Sequence, residues 1–234
     1  MSVGIARRLS KLGLCSRTEA TRWVLAGRVR VNGRLTRDPE SATEEHSRIE
    51  VDRAVISRAE PIYLMLNKPR GLVTTASDER GRGTVYDCLA DAGLPWVAPV
   101  GRLDKASEGL LLMSNDPQWA ARITDPVHAV LKRYHVRVDR LVDESLLDAL
   151  IVGVSDRGEL LRATGASILR HGQINSWLEI VLDEGRNRQI RRLLDACGMR
   201  TLRLVRLGVG GLVLGDLAKG QLRRLTNAEV TGFH

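Results

Sequence analysis

Residues 101–116 read GRLDKASEGLLLMSND and place polar side chains directly before a run of four apolar residues. The apolar run, residues 110–113, is typical of a buried strand. Asp104 at the mouth of this strand is the best candidate for an acid, a base or a nucleophile, because an ionised Asp in a cleft can attack a sugar carbon, attack a base or abstract a proton. Arg102 would hold a nearby carboxylate in its ionised form. An Asp that organises a turn through its own backbone is the alternative, and the spacing alone favours it.

Two later segments carry further candidate side chains. In KRYHVRVD, Tyr134 lies on the apolar face of an alternating strand. Because aromatic residues make up 3% of the chain, base stacking would depend on very few rings; a core tyrosine is the alternative. In RNRQIRRLLDACG, Arg188, Arg191 and Arg192 lie opposite the apolar face of a predicted helix. A solvated helix face paired with Asp195 is the alternative there.

The composition of the chain excludes several classes of protein. With 234 residues and 43% hydrophobic content the chain can bury a core. No apolar stretch approaches the roughly 20 residues of a membrane span. Its three cysteines and five histidines are scattered, which predicts neither a zinc site nor a disulfide framework and is typical of a reducing cytoplasm. The glycine-rich run GVGGLVLG departs from the GxGxxG dinucleotide fingerprint and predicts turns between strands. We therefore expect a cytoplasmic protein without a metal site or a membrane segment.

The positive charge of the chain is concentrated in two segments. The net charge is +8, and residues 1–37 hold nine Lys and Arg residues against one acidic residue. Residues 184–206 hold seven arginines against two acidic residues. Two basic segments on an otherwise balanced chain indicate two surfaces that contact phosphates, so we expect a polyanionic partner. A generally basic protein without such a partner is the alternative.

The chain divides into a small N-terminal unit and a larger second part. Apolar residues at helical spacing predict two helices, and RVRVNGRL with its Asn32-Gly33 turn predicts a hairpin after them. In that hairpin Arg28 and Arg30 lie on the face opposite the valines. From the strand IYLMLNKP onward, strands and helices alternate with turns that contain Gly and Pro. We place the domain boundary near residue 59, which gives domains of residues 1–58 and 59–234.

Four ordered blocks of the chain resemble the motifs of one enzyme family. VGRLDKASEGLLLMSND resembles the catalytic motif of the ribosomal RNA pseudouridine synthases, and MLNKPRGLVTT, TDPVHAVLKRYHVRV and EGRNRQIRRLLDACG resemble that family's other blocks in the family's order. Residues 3–52 resemble the S4 RNA-binding domain that precedes the catalytic domain in one branch of the family. The resemblance implies an α+β fold: a small S4-like helix-hairpin domain, then a synthase domain with a mixed, mainly antiparallel sheet and flanking helices.

The resemblance also implies a reaction, the isomerisation of uridine to pseudouridine within structured RNA. The C–N glycosidic bond breaks, the uracil turns and a C–C bond forms at its C5, which requires no cofactor. Asp104 matches the family's catalytic aspartate; whether it adds to the ribose, adds to the base or removes a ribose proton is left open. Tyr134 matches the tyrosine that stacks on the flipped uracil, and Arg191 matches the basic residue that pairs with the aspartate.

Candidate RNA contacts follow from the resemblance and from the basic segments. Arg102 matches the arginine that helps to hold the opened RNA. The N-terminal domain is expected to supply phosphate affinity that salt weakens, and the catalytic domain is expected to choose the base. Further expected RNA contacts are Lys68, Arg70, Lys132, Arg188, Arg17, Arg28, Arg30 and Arg34.

The expected substrate is structured ribosomal RNA or a ribosome-assembly intermediate. The large subunit is preferred over the small one, the uridine itself is left open, and we expect a monomer. A non-catalytic RNA-binding assembly factor that kept the fold is the second hypothesis, which intact Asp104, Tyr134 and Arg191 argue against. A glycoside or nucleoside hydrolase that uses Asp104 with Glu108 is the third, and it gives no role to the basic N-terminal domain.

Overall fold

The computed structural model describes residues 2–76 and 78–233 of the chain. No helix in these two ranges has the length and apolar character needed to cross a membrane. The helices are α1 (Ile5–Lys11), α2 (Arg17–Leu25), α3 (Pro117–Thr124), α4 (Glu144–Val152), α5 (Gln189–Ala196) and α6 (Asn227–Thr231), with 3-10 turns at Val85–Leu89 and Pro126–His128. The strands are β1 (Val3–Gly4), β2 (Val29–Val31), β3 (Arg34–Thr36), β4 (Ala42–Thr43), β5 (Ile49–Val51), β6 (Ala54–Val55), β7 (Tyr63–Lys68), β8 (Ala98–Val100), β9 (Glu108–Ser114), β10 (Lys132–Val138), β11 (Val154–Asp156), β12 (Glu159–Leu161), β13 (Gly165–His171), β14 (Ser176–Leu182), β15 (Thr201–Val209), β16 (Leu212–Val213) and β17 (Leu222–Arg224).

The N-terminal unit consists of two helices packed on a small sheet. The helices bury Leu9 and Val24 against Val29 of a four-stranded sheet with the order β3-β2-β5-β6. Asn32 and Gly33 form the β2–β3 turn with φ of 50° and 79°, the left-handed conformation that a two-residue hairpin turn requires. The two helices and the hairpin predicted from the sequence are therefore confirmed.

The second part of the chain is built on one nine-stranded sheet. Its main path runs β13-β14-β10-β15-β9-β7-β17, with β16 paired to β15 and β8 paired to β9. Neighbouring strands are antiparallel except β9 and β15, which run parallel. The α+β architecture with a mixed, mainly antiparallel sheet, expected from the sequence, is confirmed.

The alternation of side chains along β10 decides which face of the sheet becomes the core. Tyr134 and Val136 are buried, whereas Arg133 is exposed and His135 is half-buried. The helices α4 and α5 pack on the apolar face. All seven residues of β9 are buried, because a second apolar cluster that includes Trp119 of α3 covers the other face of that strand. The buried strand predicted at residues 110–113 is thus the centre of β9.

The parallel pairing of β9 and β15 brings two backbones very close together. Glu108 pairs with Val205, and Gly109 pairs with Arg206. Gly109 has φ of +103°, and a Cβ built on it would lie 2.8 Å from the Arg206 amide nitrogen and overlap the Arg206 carbonyl oxygen. Only glycine fits this position, because it has no Cβ and adopts positive φ freely. The close approach sets Arg206 beside the loop that carries Asp104.

The N-terminal unit contacts the large sheet through the chain that joins them. The Ala59 amide donates to the Leu12 carbonyl at 2.9 Å. Arg58 lies 3.4 Å from the carboxylate of Asp116, the residue that caps α3. The segment around residue 59, where the sequence predicts a domain boundary, is therefore anchored to both parts of the chain.

Candidate active site

A cleft of about 590 Å³ opens where the loop before β9, the strands β10 and β15, and the start of α5 meet. We call it the Asp104 cleft. Segments that are far apart in sequence converge on it, which is why it brings many of the predicted site residues together. The predicted residues that line it are Arg102, Asp104, Lys132, Tyr134, Arg188 and Arg191.

The loop that carries Asp104 is a turn, but the main chain makes it. The Asp104 carbonyl accepts from the Ser107 amide at 3.0 Å and from the Lys68 ammonium at 3.2 Å. The Asp104 carboxylate lies in the cleft instead, 3.4 Å from Nη1 of Arg188 and 3.8 Å from Nε of Arg191. The turn favoured by the spacing is therefore present, and it leaves the carboxylate available for chemistry.

Arg191 links the Asp104 carboxylate to the loop that carries it. Its Nη2 donates to the Ala106 carbonyl at 3.3 Å and to the Ser107 hydroxyl at 3.4 Å. Burial and the neighbouring Arg188 guanidinium lower the pKa of Arg191, and the Asp104 charge opposes that shift. A guanidinium stays protonated in proteins, so Arg191 remains a fixed cation next to the carboxylate.

The sequence spacing predicted that Arg102 holds the Asp104 carboxylate in its ionised form, and this prediction is wrong. Within the described residues Arg102 forms no ion pair with Asp104, and its side chain is exposed at the rim of the cleft. Arg188 and Arg191 lie beside the carboxylate instead. The short separation of Arg102 and Asp104 in sequence is misleading, because Leu103 between them is buried and the turn directs the two polar side chains to different places.

The arginines before and within α5 lie off its buried face, which includes Ile190 and Leu193 as predicted, but they have three different environments. Arg188 precedes the helix with φ of 50° and points to Asp104. Arg191 is 11% exposed and lies in the cleft. Arg192 makes ion pairs with Asp156 and Glu159 of the β11–β12 hairpin. For Arg192, the alternative of pairing with Asp195 is replaced by these contacts from a neighbouring hairpin.

Tyr134 belongs both to the core and to the cleft. It is 8% exposed and packs in the main apolar cluster, as the core alternative expects. It also lines the Asp104 cleft, at the position where β10 pairs with Ile180 of β14 and Arg206 of β15. The surrounding strands therefore hold its ring in place at the wall of the cleft, which suits a stacking surface for a base.

Lys68 is buried, so the prediction that it contacts phosphate is wrong. Its side chain is fully buried, and its ammonium donates to the carbonyls of Pro69 at 3.1 Å, Asp104 at 3.2 Å and Ser107 at 2.8 Å. All three donors of the ammonium are used in these bonds. Lys68 therefore anchors the turn that carries Asp104 from the buried side of the loop. Burial lowers its pKa to about 8.

Lys68→Met is expected to change how stability depends on pH. Burial lowers the pKa of Lys68 from 10.5 to about 8, so between these values the unfolded chain still holds a proton that the folded chain has released. Relative to Lys68→Met, the free energy of unfolding of the wild type should therefore rise by about 3 kcal/mol as the pH passes upward through this range. Urea unfolding below, within and above the range measures the difference, and a pH-independent difference would contradict the prediction.

The remaining predicted RNA contacts of the second part lie near the cleft. Arg70 is exposed, and its charge is one of those that lower the pKa of the buried Arg191. Lys132 is half-buried, and its ammonium donates to the Asp183 carbonyl at 3.4 Å. Burial is the main cause of the lowered pKa of Lys132, and the Arg206 charge adds to it.

Glu108 does not share the cleft with Asp104. Its side chain is 4% exposed and is held by ion pairs to Arg203 and to Lys219, the latter at 2.6 Å. It does not line the Asp104 cleft. A hydrolase that uses Asp104 and Glu108 together across one substrate is therefore not supported. Among residues 2–76 and 78–233, no group of three or more His, Cys, Asp or Glu side chains could hold a metal ion.

The structure adds Arg206 to the cleft, a residue that the sequence analysis missed. Arg206 is 6% exposed and lines the cleft with Asp104 and Tyr134. The signal was present in TLRLVRLGV, where strand alternation puts Arg206 on the same face as the buried Leu204. An arginine on the apolar face of a strand is a buried charge, and such a charge calls for a partner.

The four arginines predicted in the N-terminal unit lie outside the cleft and differ in how they are paired. Arg17 lies 3.8 Å from Glu40, and Arg28 forms an ion pair with Asp52. Arg30 and Arg34 are exposed and form no ion pair with any described residue. Arg30 and Arg34 are therefore more available for phosphate than Arg17 and Arg28.

Two family models match separate parts of the chain. The model described as RNA pseudouridylate synthase matches residues 62–196, which contain the Asp104 loop, β10 and α5. The S4 domain model matches residues 4–49, which contain the two helices and the hairpin of the N-terminal unit. The chain therefore carries an S4 domain in front of its synthase domain.

Individual relatives match the chain over nearly its whole length. An uncharacterized RNA pseudouridine synthase of Rickettsia conorii (strain ATCC VR-613 / Malish 7) is 34% identical over 224 residues, which cover 95% of this chain and 96% of that protein. The ribosomal large subunit pseudouridine synthase B of Bacillus subtilis (strain 168) is 32% identical over 225 residues, covering 95% and 91%. A crystal structure of a pseudouridylate synthase superimposes with a TM-score of 0.69 at 28% identity and covers 99% of this chain and 100% of that one. With a family model over more than half of its length and relatives along nearly all of it, the chain belongs to the RNA pseudouridylate synthase family.

Proposed function

We propose that this synthase converts one uridine of large-subunit ribosomal RNA to pseudouridine, with Asp104 as its catalytic carboxylate. The observation that carries the proposal is the Asp104 carboxylate, which lies in the cleft between two arginines while only the main chain of its loop makes the turn. The preference for the large subunit is supported by the name of the Bacillus subtilis relative. The substrate is the RNA itself or a ribosome-assembly intermediate that contains it.

The arrangement of the cleft suits a reaction on a flipped-out nucleotide. The Asp104 carboxylate lies in the cleft, where it is available as a base or as a nucleophile toward the ribose or the uracil. Arg191 holds the carboxylate relative to its loop through the Ala106 carbonyl and the Ser107 hydroxyl. Tyr134 offers a ring surface at the wall of the cleft. We assign these three residues the roles of catalytic carboxylate, positioning cation and stacking ring.

Binding must supply the energy that takes the uridine out of its stack. Flipping a base costs a few kcal/mol, which phosphate contacts around the opening can offset. Arg102 is exposed at the rim, and Arg188, Arg70 and Lys132 lie nearby, so we assign these four residues to the RNA strand around the target. We assign general phosphate affinity to residues 1–58 and the choice of base to residues 59–234, with the protein acting as a monomer.

The experiment that tests the proposal maps pseudouridine in ribosomal RNA from cells that lack this gene. RNA of both subunits, and particles at intermediate stages of assembly, are incubated with the wild-type protein or with buffer, and carbodiimide-stop primer extension locates each pseudouridine. One new stop in large-subunit RNA is the expected result, and it names the uridine. A new stop in small-subunit RNA alone would overturn the choice of subunit. Salt-sensitive binding without a new stop in any substrate would point to the non-catalytic assembly factor.

Removing Arg30 and Arg34 together is expected to weaken RNA binding and to reduce its salt dependence. Both side chains are exposed and form no ion pair with a described residue, so each can bind a phosphate. The slope of log affinity against log salt should fall by about 2, which filter binding at several salt concentrations measures. The matched control removes Arg17 and Arg28, whose charges already face acids, and should reduce the slope less. Equal losses of slope from both pairs would contradict the prediction.

A further inference from the structure

Arg206 is a buried cation in the Asp104 cleft whose hydrogen-bonding capacity is only partly used. It is 6% exposed, and its Nε donates to the Leu110 carbonyl at 2.7 Å. This bond fixes the plane of the guanidinium against β9. Within the described residues, Nη1 and Nη2 have no hydrogen-bond acceptor, and Arg206 forms no salt bridge. Four N–H groups at the wall of the cleft are therefore left for a ligand.

The free N–H groups are accessible from the cleft. Buried side-chain nitrogens that lack a partner occur in Arg8 and Arg191 within the described chain, and the Nη atoms of Arg206 are not among them. Because they have neither a protein partner nor full burial, they face the space that Arg206 lines, which is the Asp104 cleft. Because these N–H groups reach the cleft and have no protein acceptor, a substrate that enters the cleft can accept hydrogen bonds from them.

The position of Arg206 relative to Tyr134 indicates which part of the substrate this acceptor is. The two residues are paired across β10 and β15, so their side chains share one face with Cβ atoms about 5 Å apart. Tyr134 is the ring to which we assigned the flipped base. A guanidinium beside a stacking ring lies level with the edge of that base, where uracil carries its carbonyl oxygens. We assigned the phosphates of the same strand to Arg102, which is exposed at the rim of the cleft.

We infer that Arg206 donates hydrogen bonds to a carbonyl oxygen of the target uracil, O2 or O4, and is a further catalytic residue of this enzyme. The inference rests on the proposed function of the Asp104 cleft. When the C1′–N1 bond breaks, its electron pair stays with the uracil, and the negative charge spreads over N1 and both carbonyl oxygens. The uracil turns, C5 forms the new bond to C1′ and loses its proton, and N1 gains one. A fixed cation at a carbonyl oxygen stabilises the ring while it carries this charge.

The test changes both sides of the proposed contact, namely one oxygen atom of the uracil and the side chain of Arg206. Single-turnover rates are measured on a short RNA that carries uridine, 2-thiouridine or 4-thiouridine at the target position, because sulfur is a poor hydrogen-bond acceptor. The proteins compared are the wild type, Arg206→Gln and the matched control Arg203→Gln. Arg203 lies on the same strand but on the opposite face, where it pairs with Glu108.

One of the two sulfur substitutions is expected to slow the wild type and Arg203→Gln by roughly 10- to 100-fold. Arg206→Gln should be slower by a similar factor on uridine and should show less than about a threefold further loss with that same thiouridine. Arg206→Lys, which keeps the charge, should be faster than Arg206→Gln. If Arg206→Gln does not fold, as judged by its thermal unfolding, Arg206→Lys takes its place in the comparison.

Three results would overturn the inference. The first is that neither thiouridine slows the wild type. The second is that Arg206→Gln keeps the full sensitivity to sulfur. The third is that Arg206→Gln loses RNA affinity and the salt slope of its binding falls, which is the sign of a phosphate contact. The proposed function is tested separately from this inference, by the activity of the wild type and by the loss of that activity in Asp104→Asn. If the wild type turns over neither the short RNA nor an assembly intermediate that contains the target, the proposed function fails. The same comparison is then made in dissociation constants, and missing coupling between sulfur and Arg206 overturns this inference as well.

Discussion

Asp104→Asn is expected to reduce the formation of pseudouridine by about 10³-fold or more while RNA binding is retained. The amide of Asn has nearly the shape of the carboxylate, and the loop is held by main-chain bonds to Ser107 and Lys68 that the substitution leaves in place. The change removes only the negative charge and the basicity of the group that we assign to the chemistry. Tritium release from RNA labelled at C5 of uridine measures the rate, and filter binding measures the affinity.

The matched control for this variant is Asp148→Asn. Asp148 is an exposed aspartate of α4 that does not line the cleft, so its substitution removes one negative charge without touching the site. It should leave the rate within a factor of about 2 of the wild type. If Asp104→Asn and Asp148→Asn both keep a rate close to that of the wild type, Asp104 takes no part in the chemistry. If both lose the same large factor, the loss is an effect of overall charge.

Gly109→Ala is expected to destabilise the fold by about 3 kcal/mol or more and to abolish activity in the protein that remains. An added Cβ would overlap the Arg206 carbonyl oxygen across the parallel pair of β9 and β15, in a residue whose φ is +103°. The obstacle is backbone on a central strand, so it cannot rotate away as a side chain could. The strands must separate instead, which moves Arg206 away from the loop of Asp104. Urea unfolding followed by circular dichroism measures the loss.

Gly211→Ala is the matched control for the glycine prediction. Gly211 lies in the β15–β16 turn, has no positive φ and would meet no atom within 4 Å if it carried a Cβ. The same substitution there should change the free energy of unfolding by less than about 1 kcal/mol. Equal unfolding midpoints for the two variants would show that β9 and β15 can adjust to an extra Cβ, against the prediction.

The elements of the fold could be predicted from the sequence because each depends on neighbouring residues. The alternation in KRYHVRVD predicted which face of β10 is buried, and Tyr134 and Val136 are buried. The Asn32-Gly33 pair predicted a hairpin turn, and both residues have positive φ. The four ordered blocks predicted the family, which the match over residues 62–196 confirms. Each of these predictions uses information contained within a short stretch of chain.

The contacts of the charged residues could not be predicted in the same way. Arg102 is two positions from Asp104 and is not its partner, whereas Arg188, 84 positions away, lies 3.4 Å from the carboxylate. The family resemblance predicts Lys68 as a phosphate contact, yet its ammonium is enclosed by the carbonyls of Pro69, Asp104 and Ser107. Arg192 pairs with acids of the β11–β12 hairpin rather than with Asp195 of its own helix.

The sequence by itself therefore determined the family, the two kinds of domain, the faces of the strands and the candidate carboxylate of this protein. Only the tertiary structure decided which cations surround Asp104 and that Arg206 belongs to the same cleft. The physical reason is that periodicity reports how a residue is placed relative to its neighbours in the chain. Contacts between charges that are far apart in sequence depend instead on how closely two backbones approach. Here β9 and β15 can approach closely because Gly109 has no Cβ.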